Sequence, residues 1–263
     1  MEDTKKGKRI LCIPDAHSRP DMHNDRFTAL GNFIVDKKPD IVVSIGDFAD
    51  MGSLCSYDKG TKTAEGRRYV EDINACKDAL HKTMTPVRQE IDRAVAGHRK
   101  RWNPEFHITL GNHENRIDRA ANSSPELHGK LSIKDLGFEE WGWNVVPFLK
   151  PLVLENFLFM HYLPSGAMGK PTGGVNHARS LVLKAMMSTV VGHSHQRDMF
   201  EMSRADGKKL MGLVVGCYDQ GSHEYADATQ HNWWSGLVML NEAQDGQAEP
   251  AFYSTDYVLR KFL

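Results

Sequence analysis

Two histidines stand one residue apart in Gly192-His193-Ser194-His195, directly behind the short run Ser188 to Val191. Imidazole at the end of a buried strand is costly unless something binds it, and a metal ion is one such partner. Four other segments end in the same way. Asp15-Ala16-His17 follows Lys8 to Ile13, and Gly46-Asp47 follows Ile41 to Ile45. Gly111-Asn112-His113-Glu114 follows Phe106 to Leu110, and His161 follows Phe157 to Met160. Carboxylate, imidazole and one amide, with no thiolate, suit borderline to hard divalent ions such as Mn2+, Fe2+ or Zn2+, and disfavour Fe–S clusters or copper(I). The candidate ligands Asp15, His17, Asp47, Asn112, His161, His193 and His195 are more than one tetrahedral ion needs, so two ions sharing a carboxylate is the natural count. Asp15 and Asp47 cancel only part of the charge of two divalent ions. The net positive cluster would attract an anionic, oxygen-rich substrate, of which phosphate esters are the obvious class.

Such a set needs a scaffold that gathers five chain segments. Lys8 to Ile13, Ile41 to Ile45 and Phe106 to Leu110 are short apolar runs closed by Pro-Asp or Gly, as buried strands are. Phe27, Leu30 and Ile34 repeat at helical spacing, and Pro39 stops that helix. From Val70 the apolar positions Ile73, Cys76, Leu80 and Met84 step by three or four, and Thr85-Pro86 reads as a cap and first-turn proline that restarts a helix. The second half is richer in strands. Leu152 to Leu154 and Phe157 to Met160 form a hairpin around Glu155-Asn156. A helix is expected near Ala178 to Met186, and strands at Lys209 to Val215, Gly236 to Leu240 and Ala251 to Thr255. In open α/β sheets functional groups gather at the carboxyl ends of strands, where all five polar endings fall.

The chain has 263 residues and a formal net charge of −1, so it presents no global field for nucleic acid or an anionic membrane, and affinity for phosphate must be local. Cys12, Cys55, Cys76 and Cys217 form no CxxC pair and are expected as reduced residues of an intracellular protein. The start, MEDTKKGKR, has no apolar stretch behind it, and no run is long enough to cross a bilayer, so a soluble, cytoplasmic protein is expected.

In order, Asp-x-His, Gly-Asp, Gly-Asn-His-Glu, a lone His and Gly-His-x-His span residues 15 to 195. This series resembles the calcineurin-like metallophosphoesterases. The resemblance implies an α/β fold of two mixed β-sheets packed face to face with flanking helices, a four-layer sandwich. We expect one domain over residues 1–263. A helical insertion is expected at about 57–102, and a loop-rich one at about 115–144. Carried over by position, Asp15, His17 and His195 would hold one ion, Asn112, His161 and His193 the other, and Asp47 would bridge them. His113 would face the substrate and stabilise or protonate the leaving oxygen, with Glu114 orienting it by accepting its second N–H. The implied reaction is an in-line displacement by a hydroxide held between the ions. Manganese is the first expectation for the metal, with Fe2+, Zn2+ or Ni2+ as alternatives. Two departures stand out: Tyr162 follows the lone histidine where many relatives have glycine, and Asp50, at a frequent acidic position of the family, receives no ligand role.

Phage-encoded phosphoesterases and the nuclease branch of that family carry similar motifs, which favours a phosphodiesterase, nuclease-like or directed at nucleotides. A phosphomonoesterase acting on nucleotides or phosphoproteins is the alternative, and a non-catalytic scaffold of the same fold the third reading. Arg116, Arg119 and Arg197 lie beside motif residues and could clamp phosphate oxygens, Arg116 foremost, although solvated arginines explain them nearly as well. Trp233-Trp234 and Trp141-Gly142-Trp143 could stack on bases or pack in the core. The basic run Gly97 to Trp102 reads as a helix end. His177 is expected to be an ordinary loop histidine, and His81, His98, His107, His128, His223 and His231 are assigned no function.

Overall fold

The computed structural model describes residues 6–220 and 230–263; the first five residues and His223 lie outside the described residues. The first half runs β1 (Lys8–Ile13), α1 (Asp25–Lys37), β2 (Ile41–Ser44), α2 (Tyr69–Ala96), β3 (Glu105–Thr109), α3 (Asn115–Ser123) and β4 (Trp143–Val146). The second half runs β5 (Leu152–Leu154), β6 (Phe157–Phe159), β7 (Pro164–Ser165), β8 (Lys170–Pro171), α4 (His177–Ala185) and β9 (Ser188–Val191). It closes with β10 (Arg197–Ser203), β11 (Lys209–Val215), β12 (Gly236–Gln244), β13 (Gln247–Ser254) and α5 (Thr255–Phe262).

Two mixed sheets result. One has the order β13-β12-β1-β2-β3-β4, with β1 to β4 parallel and the β12–β13 hairpin antiparallel; the other has the order β10-β11-β9-β6-β5. Period-two alternation along the strands sets which layer each side chain joins. Ile10, Cys12, Ile41 and Val43 point between the sheets, against Phe157, Phe159, Val190 and Leu213 of the second. Their neighbours Leu11, Ile13 and Val42 point the other way, into the core shared with Phe27, Leu30 and Leu80 of the helices. On the far side Val191 and Val214 pack under Ala178 and Leu181 of α4. Helix, sheet, sheet and helix layers follow, which is the expected four-layer architecture.

Several elements differ from the sequence expectation. No helix restarts at Thr85-Pro86: α2 is one helix of 28 residues with Pro86 inside it. A proline leaves the carbonyl four residues back without its helical donor, here that of Lys82. Gly31 of α1 approaches there, where an added Cβ would lie 3.1 Å from Lys82 O and 3.1 Å from Pro86 Cγ, so packing on α1 holds the turn that propensity would break. The region 115–144 contains α3 and three short 3-10 turns, and β4, β10 and α5 went unforeseen. β10 is an edge strand that alternates exposed and half-buried residues, too weak a pattern to stand out in the sequence.

Candidate metal centre

The parallel strands β1, β2, β3 and β9 each end in a loop that delivers polar side chains to one place. Asp15 and His17 leave β1, Asp47 leaves β2, Asn112 and His113 leave β3, and His193 and His195 leave β9, while His161 follows β6. Four of these residues, His17 (φ 45°), Asp47 (φ 48°), His193 (φ 65°) and His195 (φ 56°), hold left-handed backbone, uncommon for residues with a Cβ and concentrated at functional sites. The turns are braced across the site. The N–H groups of Ala16 and His17 both donate to the Asp47 carbonyl at 2.9 Å, and the buried Arg26 guanidinium donates to the carbonyls of Ala16 at 2.7 Å and His17 at 3.2 Å.

Two glycines let the carboxylates in. A Cβ on Gly192 would collide with Asp15 Oδ1, and one on Gly111 with Asp47 Oδ1. Each carboxylate then accepts a backbone N–H from the segment it approaches: Asp15 Oδ2 from His193 at 2.9 Å, and Asp47 Oδ1 from His113 at 2.8 Å.

The metal-capable atoms fall into three groups among the described residues. Asp15, His17 and His195 converge to within 4.8 Å of one another, as do Asp47, His161 and His193, and His17 is shared with a third group that adds Asp50 and His113. His195 Nε2 lies 3.1 Å from Asp15 Oδ2 and 3.2 Å from His17 Nε2. His161 Nε2 lies 2.8 Å from Asn112 Oδ1, 3.1 Å from His193 Nδ1 and 3.2 Å from Asp47 Oδ2. Asp15 Oδ1 is buried and accepts no hydrogen bond from the described residues. Convergent imidazole nitrogens, two carboxylates and an amide oxygen are the donors a pair of divalent ions takes, and the residues present fit such a pair.

Partners behind the site fix which ring nitrogen faces it. His161 Nδ1 donates to the Ile45 carbonyl at 2.9 Å, which leaves Nε2 as the electron-pair donor. His17 Nδ1 lies 3.2 Å from Asp50 Oδ1, and His113 Nδ1 lies 3.2 Å from the same oxygen and donates to the Asp50 carbonyl at 2.8 Å. Asp50 therefore orients a ligand and the substrate-facing histidine at once. Its sequence signal was the second acid of Gly-Asp-Phe-Ala-Asp, and its carboxylate lies against the Nδ1 atoms of both histidines.

The electrostatics follow from burial and pairing. Burial works against a charged His161, yet the carboxylates of Asp47 and Asp15 outweigh it and push its pKa up to about 10. Burial, with repulsion from neighbouring imidazoles, pulls His17 and His193 down to about 4. Burial raises Asp47 less than His113 and His161 lower it, so it stays ionised well below the usual carboxylate range. His113 is also opposed by burial, but Asp47 and Asp50 shift it upward.

Glu114 does not meet the expectation placed on it. It makes no contact with His113; its oxygens accept the backbone N–H groups of Gly111 at 2.8 Å, Ala49 at 2.9 Å and Asp47 at 3.0 Å. Glu114 follows His113 at the start of α3, and its side chain turns inward beneath the ligand loops, fully buried, while His113 faces the cleft. Arg116 reaches the site: Nη1 donates to the Asp50 carbonyl at 2.8 Å, and Nη2 lies 3.3 Å from His113 Nε2. Arg119 instead donates to Ser56 Oγ at 3.3 Å, and Arg197 lies over the rings of Trp234 and Phe252 at 5.1 and 5.3 Å. His177 is buried rather than a loop residue, with Nδ1 at 3.4 Å from Ser194 Oγ. Tyr162 packs its ring 4.9 Å from that of His193.

A cleft of 1040 Å³ opens over the cluster. Asp47, Asn112, His113, His193 and His195 line its floor, and Arg116 reaches it from α3. The segment 55–67 contributes Cys55, Tyr57, Asp58, Thr63 and Arg67, so the stretch before α2 forms a wall of the cleft. Trp233 also lines it.

Comparison with known proteins adds an independent line. Residues 8–197 match the family model described as calcineurin-like phosphoesterase. The gene 54 protein of Mycobacterium phage L5 is 27% identical over 250 residues, covering 91% of this chain and 90% of that protein. The gene 54 protein of Mycobacterium phage D29 is 25% identical over 243 residues, covering 89% and 88%. A solved dimetal phosphatase from Danio rerio aligns with 95% of this chain and 100% of its own, at 10% identity and a TM-score of 0.42.

Proposed function

This chain belongs to the calcineurin-like phosphoesterase family, which makes it a metal-dependent hydrolase of phosphate esters, and on that premise we propose that it cleaves phosphodiesters. The observation that carries the reading is the pair of potential ligand groups, Asp15-His17-His195 and Asp47-His161-His193, each of which contributes to the floor of one cleft through Asp47, His193 and His195. In this assignment Asp15, His17 and His195 would hold one ion, and Asp47, His161 and His193, with Asn112, would hold the other. The mixed oxygen and nitrogen set suits Mn2+ first. When bound, the two ions supply Lewis-acid charge to the phosphoryl oxygens and acidify the attacking water.

The chain's own residues do the rest. In its charged form, which the carboxylates of Asp47 and Asp50 favour, His113 would carry a second proton at Nε2 for the departing ester oxygen, its Nδ1–H being committed to the Asp50 carbonyl at 2.8 Å. Arg116, anchored on that carbonyl, keeps a cation 3.3 Å from Nε2 and presents it to the cleft, where it meets a phosphoryl oxygen. Glu114 keeps the β2 and β3 loops in register, which sets Asp47 and Asn112 on the same face. The cleft has room for organic groups on two ester oxygens, as a diester requires.

The test is hydrolysis of bis-p-nitrophenyl phosphate and p-nitrophenyl phosphate by the Mn2+-loaded protein, with His113→Ala alongside. A preference for the diester is expected. A preference for the monoester would overturn the diester assignment in favour of a phosphomonoesterase. Hydrolysis of neither, with fewer than two ions bound per chain, would leave a non-catalytic scaffold.

A further inference from the structure

The cleft is large for the phosphate its floor would hold, and its 1040 Å³ sits at the upper end of ordinary small-ligand pockets, roughly 300–1,000 Å³. What lines the rest of it should tell what is attached to that phosphate.

Of the arginines that line the cleft, Arg19 and Arg67 are held by carboxylates, and Arg116 is the one assigned above to the phosphoryl group. Arg19 lies 2.9 Å from Asp219 and 3.2 Å from Asp21, and Arg67 lies 2.6 Å from Asp58. Arg116 donates to the carbonyls of Asp50 and Met51. Asp21 and Asp58 are themselves cleft residues, so among the described residues the walls form no basic track. A polynucleotide is held chiefly by cations along its backbone, and neither these walls nor a chain of net charge −1 offers that.

Two aromatic rings face the cleft instead. The structure separates the Trp233-Trp234 pair. Trp234 turns inward against Phe252, ring centroids 5.6 Å apart, whereas Trp233 lines the cleft half-buried, its ring at 81° and 4.1 Å from that of His195. The Trp234 backbone N–H donates to the His195 carbonyl at 2.9 Å, which ties the segment that carries Trp233 to the metal-ligand loop. On the 55–67 wall Tyr57 is 86% exposed, an aromatic ring presented to solvent within a cleft. Rigid flat rings beside a phosphate site are suited to stacking on a base.

We propose that the cleft walls hold a nucleobase, with Trp233 as the main platform and Tyr57 as the second, and that the substrate is a diester of mononucleotide size, not a nucleic-acid chain. This inference rests on the phosphoesterase reading above and narrows it.

The experiment compares thymidine 5′-(p-nitrophenyl phosphate) with methyl p-nitrophenyl phosphate on the Mn2+-loaded protein, since both release the same leaving group. The expected result is a higher kcat/KM for the nucleoside diester. Trp233→Ala lowers that preference by roughly 5- to 150-fold, and Trp233→Tyr keeps most of it. Damage to His195 would lower both substrates alike and cancels in the ratio. Tyr57→Ala lowers the preference by a smaller factor. Calorimetric titration with thymidine 5′-monophosphate supplies a readout independent of turnover and should show weaker binding in Trp233→Ala. Equal kcat/KM for the two diesters, or a preference untouched in Trp233→Ala, would overturn the nucleobase platform and leave the phosphoesterase reading standing. Nucleotide binding that weakens in Trp233→Ala, without hydrolysis of either diester, would do the reverse. A single-stranded oligonucleotide cleaved faster than the nucleoside diester, with kcat/KM collapsing as salt rises, would replace the mononucleotide site with a polynucleotide track.

Discussion

Glu114 and Asp47 are joined side chain to backbone: Glu114 Oε2 accepts the Asp47 N–H at 3.0 Å, and the same oxygen accepts the Gly111 N–H at 2.8 Å. One buried carboxylate thus ties the loop after β2 to the loop after β3. It does so at the level of the backbone, beneath the atoms that face the cleft. The residue beside the substrate-facing histidine acts as a clamp on the ligand loops.

Replacing Glu114 by alanine leaves three buried N–H groups without acceptors. Stability is expected to fall by about 3 kcal/mol, since each unsatisfied buried donor costs ~1–3 kcal/mol and the structure relaxes in part. Glu114→Gln retains one carbonyl acceptor and should lose less. Urea unfolding followed by circular dichroism reads this directly. A loss below about 0.5 kcal/mol in the alanine variant, the range of ordinary surface changes, would refute the clamp.

His113 touches the reacting region but belongs to neither ligand group holding Asp15 or Asp47. His113→Ala should keep two ions per chain by elemental analysis and lose roughly 10²- to 10⁴-fold in kcat on a diester with a poor leaving group. On a p-nitrophenyl ester the loss should be smaller, because that leaving group needs less help from a proton. Equal losses on both esters would argue against the proton-donor role.

Metal loading should release a proton. In the metal-free protein His161 has its pKa pushed up to about 10 by Asp47 and Asp15, above the ordinary 6.5 of histidine, so it is protonated at neutral pH. A metal binds the neutral ring, so that proton must leave. The sign follows: Mn2+ affinity rises with pH, by about one log unit per pH unit for this proton, until pH approaches 10. Calorimetric titrations at pH 7 in buffers of different ionisation enthalpy measure the proton count. Zero release would contradict a charged His161 in the metal-free protein.

A methyl group added at Gly192 would collide with Asp15 Oδ1. Gly192→Ala should therefore displace Asp15 and lower occupancy of the site it shares with His17 and His195, with a stability loss of about 1–3 kcal/mol from overpacking. Retention of both ions at wild-type affinity would show that the loop can yield. Gly173→Ala, where an added Cβ meets nothing within 4 Å and the backbone is likewise outside the left-handed region, controls for the added methyl alone.

The sequence by itself determined the family, the layered fold and the gathering of its polar strand endings. Those features are local or ordered along the chain: an apolar run and then a metal-binding side chain, five times in succession, with a glycine between them in three. Which residues of β1 and β2 face which layer was not readable, because both faces of each strand are apolar and only packing assigns them to different layers. What the tertiary structure decided involves contacts between segments distant in sequence. Glu114 accepts from Asp47, 67 residues away, and Asp50 stands behind both His17 and His113, at separations of 33 and 63 residues. No local pattern distinguishes such an acceptor from a solvated acid. Trp233 and Trp234 are identical side by side in the sequence, and the structure sends one to the cleft and the other to the core. Pro86 should have broken α2, but helix packing against α1 outweighed it. Local chemistry marks which residues can bind a metal; long-range packing decides which of their neighbours hold them still.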